Sequence, residues 1–144
     1  MELQINPYSL GERPPVTPPT HQFYNVLGED GIRNLVSRHY DLLRTSSIKS
    51  LFPATNDGFA MAKKNSADFM IQICGGPAYF NQNRGAPKLI NRHAGFSIDV
   101  DARIVWLNCY KQALLELEIS EDLILSFWNY INIFSSWMVN TENK

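Results

Sequence analysis

The sequence has few of the residues that build disulfide scaffolds or metal clusters. Its 144 residues include two cysteines, Cys74 and Cys109, which lie far apart and form neither a C-x-x-C nor a C-x-x-C-H pattern. This spacing argues against a disulfide framework, a zinc site and a covalently attached cofactor. We therefore interpret both cysteines as small buried apolar residues.

Long apolar runs and an excess of charge are also missing. Polar residues interrupt every apolar segment well before the roughly 18–20 residues needed to cross a bilayer, and no secretory signal pattern opens the chain. With 13 basic and 14 acidic side chains, the formal net charge is −1, too little to attract phosphate backbones or anionic lipid. We expect a cytoplasmic protein whose partners include neither nucleic acid nor membrane.

The composition is that of one folded domain with an N-terminal extension. Apolar residues make up 44% of the chain and charged residues 19%, which fits a single buried core. In residues 1–22, Asn6-Pro7, Pro14-Pro15 and Pro18-Pro19 predict an extended or polyproline-like segment. We expect a loose tail there, with a docking arm as the alternative, and assign residues 23–144 to the domain.

Four stripes of apolar residues, spaced three and four apart, predict helices. They cover residues 30–43, about 59–73, about 99–116, and a last helix that carries apolar residues as far as Met138. Ser120 is the predicted N-cap of the last helix. Because no convincing strand remains, the predicted class is all-α.

Between the second and third predicted helices lies a long irregular segment, residues 75–91. A segment of this length without its own structure is uncommon in a compact domain unless it has a function. It leads directly to Arg92 and His93. A neutral imidazole is a common ligand for the iron of a non-covalently bound haem, although a histidine taken alone is more often a packed or exposed residue.

The residues around His93 form a set of short motifs. These are Gly75-Gly76-Pro77-Ala78-Tyr79-Phe80, Arg84-Gly85-x-Pro87-x-Leu89, Arg92-His93-x-x-Phe96-x-Ile98 and, thirteen residues after His93, Trp106-Leu107-x-Cys109. With these motifs the chain resembles the group II truncated haemoglobins from Phe23-Tyr24 to the last helix. The resemblance implies a two-over-two helical sandwich around a non-covalently held haem b, with His93 as the iron ligand.

The resemblance also implies which side chains contact the haem. They are Phe52, Phe69, Tyr79, Arg84, Leu89, Arg92, Phe96 and Ile98. The guanidinium groups of Arg84 and Arg92 suit the haem propionates, with ordinary solvated charge as the alternative reading. Phe80 replaces a tyrosine that is common in the group, and we expect Tyr79 to compensate in part.

On the distal face the resemblance places Tyr40, Trp106, Ala62 and Ser66 around the ligand. The Tyr40 phenol and the Trp106 indole are expected to donate hydrogen bonds to dioxygen, which carries partial negative charge in such a complex. Ser66 is smaller and more polar than the residue typical of the group, so it can hold a water or join the hydrogen-bond network.

Two other positions near the distal face leave alternatives open. Phe52 stands where part of the group has a hydroxyl or an imidazole, which leaves Tyr40 and Trp106 as the main donors. His39 is a weaker candidate for a sixth iron ligand, because adjacent helical residues face about 100° apart. Whether His39 or Tyr40 ligates the iron directly stays open at this point.

The implied function is a globin that binds dioxygen, nitric oxide or carbon monoxide as a carrier, scavenger or sensor. The alternative is a redox enzyme with the same pocket, either a nitric oxide dioxygenase with a reductase as its partner or a peroxidase-like enzyme. A helical interaction module without a cofactor would use the same apolar stripes, but it gives no reason for residues 75–91.

Overall fold

The computed structural model describes residues 1–142, which form helices and turns without a strand. The elements are α1 (His21–Arg44), a 3₁₀ turn (Lys49–Leu51), α2 (Asn56–Ile73), α3 (Tyr79–Arg84), α4 (Leu89–His93), α5 (Val100–Leu115) and α6 (Glu121–Met138). The predicted all-α class is confirmed. None of these helices has the length and apolar character that crossing a bilayer requires.

The four long helices pack as two pairs. Helix α1 lies against α2, α5 lies against α6, and α1 also contacts both α5 and α6. Buried apolar side chains from all four helices fill the space between the pairs, among them Val36, Ile71, Leu107 and Ile131. This is the two-over-two helical sandwich that the resemblance implied.

Capping residues explain where three of the long helices begin. The side chains of Thr20, Thr55 and Asp99 each accept a hydrogen bond from a backbone N–H in the first turn of α1, α2 and α5. Ser120 precedes α6 as predicted, but its side chain makes no capping hydrogen bond. At that end, the carboxylate of Glu121 in the first turn complements the positive end of the helix dipole.

Helix α1 begins at His21, ahead of the start that the apolar stripe predicted at Asp30. The helix is interrupted at Gly28, whose φ of 70° and ψ of 178° lie outside the helical region. Because of this break, the side chains of residues 21–27 do not continue the apolar stripe of residues 30–43, and the helical periodicity stops at Gly28. The earlier turns are nevertheless buried, since Phe23 is fully enclosed and stacks on Phe127 with ring centroids 4.8 Å apart.

The segment predicted to be irregular contains two short helices, α3 and the first part of α4. Helices of five and six residues are too short to show a 3.6-residue periodicity. Gly85 ends α3 with a φ of 78°, and Lys88 precedes α4 in the left-handed conformation with a φ of 42°. These two turns direct α4 back across the end of the helical sandwich toward α6, which it contacts.

The N-terminal segment is packed against the domain, so our expectation of a loose tail is wrong. Leu3 is 3% exposed and belongs to the core. The indole N–H of Trp128 donates to the carbonyl of Gln4, and that of Trp137 donates to the carbonyl of Pro14, both at 2.9 Å. Residues 1–20 form no helix or strand, and two of their backbone carbonyls accept hydrogen bonds from donors on α6.

Candidate functional site

A cavity of about 360 Å³ lies between the helix pairs and the segment that holds α4. Its lining includes every residue predicted for the site except Tyr79. From the predicted haem contacts these are Phe52, Phe69, Arg84, Leu89, Arg92, Phe96 and Ile98, together with His93, and from the distal set they are Tyr40, Ala62, Ser66 and Trp106.

Tyr79 lies outside the cavity, which corrects its predicted role as a haem contact. Its hydroxyl donates to Glu29 Oε2 at 3.3 Å, and the guanidinium of Arg33 lies 5.8 Å from its ring centroid. The neighbouring Phe80 lines the cavity instead and packs edge-on against Phe69. Because successive helical residues face about 100° apart, Tyr79 cannot take the place of Phe80.

His93, at the end of α4, has one ring nitrogen that no hydrogen bond within residues 1–142 uses. Its Nδ1 is 2.7 Å from the backbone carbonyl oxygen of Leu89, one turn earlier. A carbonyl only accepts hydrogen bonds, so Nδ1 carries the proton of the neutral ring and Nε2 keeps its lone pair. An imidazole whose Nδ1–H is held by a carbonyl is in the tautomer that ligates metals through Nε2, so this residue fits a haem iron.

Arg92 fixes the turn that leads into α4. Its Nε donates to the carbonyl of Pro87 at 2.6 Å, and its Nη2 donates to the carbonyls of Arg84 and Ala86 at 2.9 and 3.2 Å. Within residues 1–142 these bonds leave Nη1 without a partner. The Arg92 and Arg84 guanidiniums both lie over the Phe80 ring, at 5.2 and 6.0 Å from its centroid, and Arg84 is exposed. The two cations can therefore meet carboxylates beside Phe80.

A short hydrogen bond joins two of the predicted distal residues. The Tyr40 hydroxyl lies 2.5 Å from Ser66 Oγ, and its ring packs edge-on against Phe52 and Phe59. Burial raises the pKa of the Tyr40 phenol, whereas the bond to Ser66 acts in the opposite direction with a smaller effect. The phenol therefore stays protonated and keeps a proton to donate.

His39 is fully buried beside the cavity and is bonded to the backbone of α5. Its Nε2 is 3.0 Å from the carbonyl of Trp106, and its ring stacks on Tyr110 with centroids 3.5 Å apart. Nε2 thus carries the proton, while Nδ1 is buried without a partner in residues 1–142. Burial lowers the pKa of His39 to about 3, so the ring is neutral at physiological pH. Ligation of iron by Nε2 would require breaking the bond to Trp106.

Sequence reasoning missed several residues of the lining. Helix α6 contributes Phe134, Ser135 and Met138, and α5 contributes Arg103 and Tyr110. The apolar members were part of stripes that we assigned to the core, because a core and a cofactor cavity produce the same pattern. The signal that was available is Arg103, a charged residue directly before the apolar run Ile104–Leu107.

A two-over-two helical sandwich that encloses an apolar cavity, with a histidine whose Nε2 is free, defines a haem protein of the globin class. The bacterial-like globin family matches residues 22–140, and the chain belongs to this family. It is therefore a haem-binding globin, and the family supports binding of diatomic gases. The resemblance to group II truncated haemoglobins is confirmed by the relatives and solved structures that the chain matches.

Three of these relatives show the extent of the similarity. Group 2 truncated hemoglobin YjbI of Bacillus subtilis (strain 168) is 26% identical over 118 residues, which are 81% of this chain and 87% of that protein. The crystal structure of phosphate-bound Hell's gate globin IV is 36% identical, with a TM-score of 0.89 over 96% of this chain and 87% of that one. The group II truncated hemoglobin from Bacillus anthracis is 25% identical, with a TM-score of 0.78 over 84% of this chain and 98% of that one.

Proposed function

We propose that this globin binds haem b with His93 Nε2 as the iron ligand and binds dioxygen on the Tyr40 and Trp106 side of the cavity. The observation that carries the proposal is the hydrogen bond from His93 Nδ1 to the Leu89 carbonyl, which leaves Nε2 free in the same cavity as these two donors. Haem, when bound, supplies an iron that takes up dioxygen, nitric oxide or carbon monoxide.

The chemistry of the lining supports a flat apolar cofactor with carboxylates on one edge. Phe69, Leu89 and Ile98 give the cavity apolar walls, which favour burial of a porphyrin ring. Exposed Arg84 and half-buried Arg92 also line the cavity, and their guanidinium groups can pair with propionates.

The distal hydrogen bonds support a ligand with partial negative charge. When the Ser66 hydroxyl donates to the Tyr40 oxygen, the phenol proton is free for a ligand. The indole N–H groups of Trp128 and Trp137 donate to the N-terminal segment, whereas no hydrogen bond within residues 1–142 uses that of Trp106. Two donors in a buried cavity stabilise charge on dioxygen and slow its release.

The dioxygen dissociation rate of the haem-loaded protein tests this arrangement. We expect Tyr40→Phe and Trp106→Phe each to raise the rate by about 10- to 150-fold, since one hydrogen bond to a charged partner contributes about 1.5–3 kcal/mol. Tyr79→Phe is the matched control and should leave the rate unchanged, because the Tyr79 hydroxyl bonds Glu29 outside the cavity. Wild-type rates in both distal variants would contradict the proposal.

A further inference from the structure

Arg103 is a buried cation in the wall of the haem cavity. It lies on α5, one turn before Trp106, and is 4% exposed. Lysine and arginine are almost never this deeply buried unless they are paired with an acid. The proposed function assigns no role to this side chain.

The partners of Arg103 in the described part of the chain are all uncharged. Nε donates to Ser135 Oγ at 2.9 Å, Nη1 donates to the carbonyl of Asn6 at 2.8 Å, and Nη2 donates to the carbonyl and side-chain oxygens of Asn132. The Tyr8 ring lies 5.5 Å from the guanidinium carbon. Four acceptors therefore satisfy the guanidinium without neutralising it.

Four other cations in residues 1–142 differ from Arg103 because they form ion pairs. Arg33, Arg38, Lys63 and Lys64 each lie within 3.1 Å of a carboxylate oxygen, and no ion pair in this part of the chain includes Arg103. Burial lowers the pKa of Arg103, but a guanidinium remains protonated in proteins. Within residues 1–142, Arg103 is thus a permanent positive charge without a counter-ion.

A buried positive charge in the wall of the cavity affects the binding of charged ligands inside it. The field of a buried cation is screened less than that of a surface cation, and it favours negative charge nearby. We propose that Arg103 gives the haem cavity a preference for small monovalent inorganic anions as ligands of the oxidised iron. The inference rests on the proposed haem binding and concerns the effect of Arg103 on anion affinity in the oxidised form.

The N-terminal segment takes part in this arrangement. The Asn6 carbonyl holds Nη1, and the Asn6 backbone N–H donates to the same Asn132 side-chain oxygen that Nη2 contacts. The docked segment therefore contributes to the burial of the guanidinium, and Arg103 is 4% exposed with the segment in place. An open side would admit water and salt, which screen the charge.

Azide titration of the oxidised, haem-loaded protein tests the proposal, with carbon monoxide binding to the reduced protein as the uncharged comparison. Arg103→Met removes the charge and keeps a long side chain, and we expect its azide dissociation constant to rise about tenfold. Arg103→Lys keeps the charge and should stay within about threefold of wild type. Carbon monoxide affinity should be similar in all three proteins.

The variants separate charge from structure. If Arg103→Lys weakens azide as much as Arg103→Met, or if Arg103→Met binds azide like wild type, the proposal is wrong. Should Arg103→Met fail to retain haem, Arg103→Gln replaces it, because the amide can still bond Asn132, and the same tenfold loss is expected. A wild-type protein without a haem spectrum would refute the proposed function itself, so the two failures are distinguishable.

A second measurement on the same variants is the reduction potential of the iron. Loss of a nearby positive charge disfavours the added electron, so the potential of Arg103→Met should lie below that of wild type, while Arg103→Lys should remain close to it. If the role of Arg103 is purely structural, the reduction potentials of Arg103→Met and Arg103→Lys should be equal.

Discussion

At the scale of single residues, hydrogen bonds to backbone carbonyls determine which ring nitrogen is protonated in each of the two histidines beside the cavity. The Leu89 carbonyl holds Nδ1 of His93, and the Trp106 carbonyl holds Nε2 of His39. His93 therefore has Nε2 available for a ligand, whereas the unbonded nitrogen of His39, Nδ1, is buried. The sequence cannot distinguish these two states, because each depends on which carbonyl the fold brings to the ring.

The burial of His39 predicts a specific pH dependence of stability. Its pKa is about 3 in the folded protein and 6.5 in the reference state, so the unfolded chain takes up a proton between these values and the folded protein does not. The free energy of unfolding is therefore unaffected by this group above about pH 6.5 and falls as the pH is lowered toward 3. Between pH 7 and pH 5, His39 should account for a loss of about 2 kcal/mol.

His39→Phe tests this pH dependence, because a phenyl ring can retain the stacking on Tyr110 but does not titrate. Urea unfolding of the haem-loaded protein at pH 7 and pH 5 should show a drop in stability about 2 kcal/mol smaller in the variant than in wild type. His21→Ala, at an exposed position, is the control and should behave like wild type. Equal drops in all three proteins would show that His39 does not titrate as its burial requires.

At the scale of elements, the sequence predicted the long helices and missed the short ones. Helices α2, α5 and α6 have apolar stripes long enough to show the helical period. Helices α3 and α4 have six and five residues, and helices this short depend on tertiary contacts because nucleation is costly. The bonds from Arg92 to the carbonyls of Arg84, Ala86 and Pro87 hold the turn between α3 and α4, at spacings of five to eight residues that no helical periodicity produces.

The turn between α3 and α4 gives a test of this account. Gly85 has a φ of 78° and a ψ of −160°, a region open essentially to glycine, although nothing lies within 4 Å of an added Cβ. We expect Gly85→Ala to lower the free energy of unfolding by about 1–3 kcal/mol through backbone strain alone. The measurement is denaturant unfolding of the haem-loaded protein.

Gly95→Ala provides the matched control for this turn. Gly95 also has open space around an added Cβ, but its φ lies outside the left-handed region. Alanine should be neutral there or stabilise by about 0.4–1 kcal/mol, because it restricts the unfolded chain. If the two substitutions change the free energy of unfolding equally, the backbone conformation at Gly85 does not require glycine.

At the scale of the whole molecule, the all-α class followed from periodicity and the sandwich from the resemblance, and both are confirmed. The docking of residues 1–20 was not predictable in the same way. Prolines exclude a helix, but they do not show where an extended segment packs. Its partners Trp128 and Trp137 lie more than 100 residues away in sequence. Their indole N–H groups bind backbone carbonyls, so no particular side chain in the segment marks the contact.

The haem site likewise depends on the whole chain, since His93, Tyr40 and Trp106 come from three different helices. The central claim is that His93 holds the iron through Nε2. Resonance Raman spectroscopy of the reduced, ligand-free protein measures the iron–histidine stretch directly. Wild type and His21→Ala should show this band, and His93→Gly should lose it and gain an iron–imidazole band when imidazole is added. An unchanged iron–histidine band in His93→Gly would contradict the account.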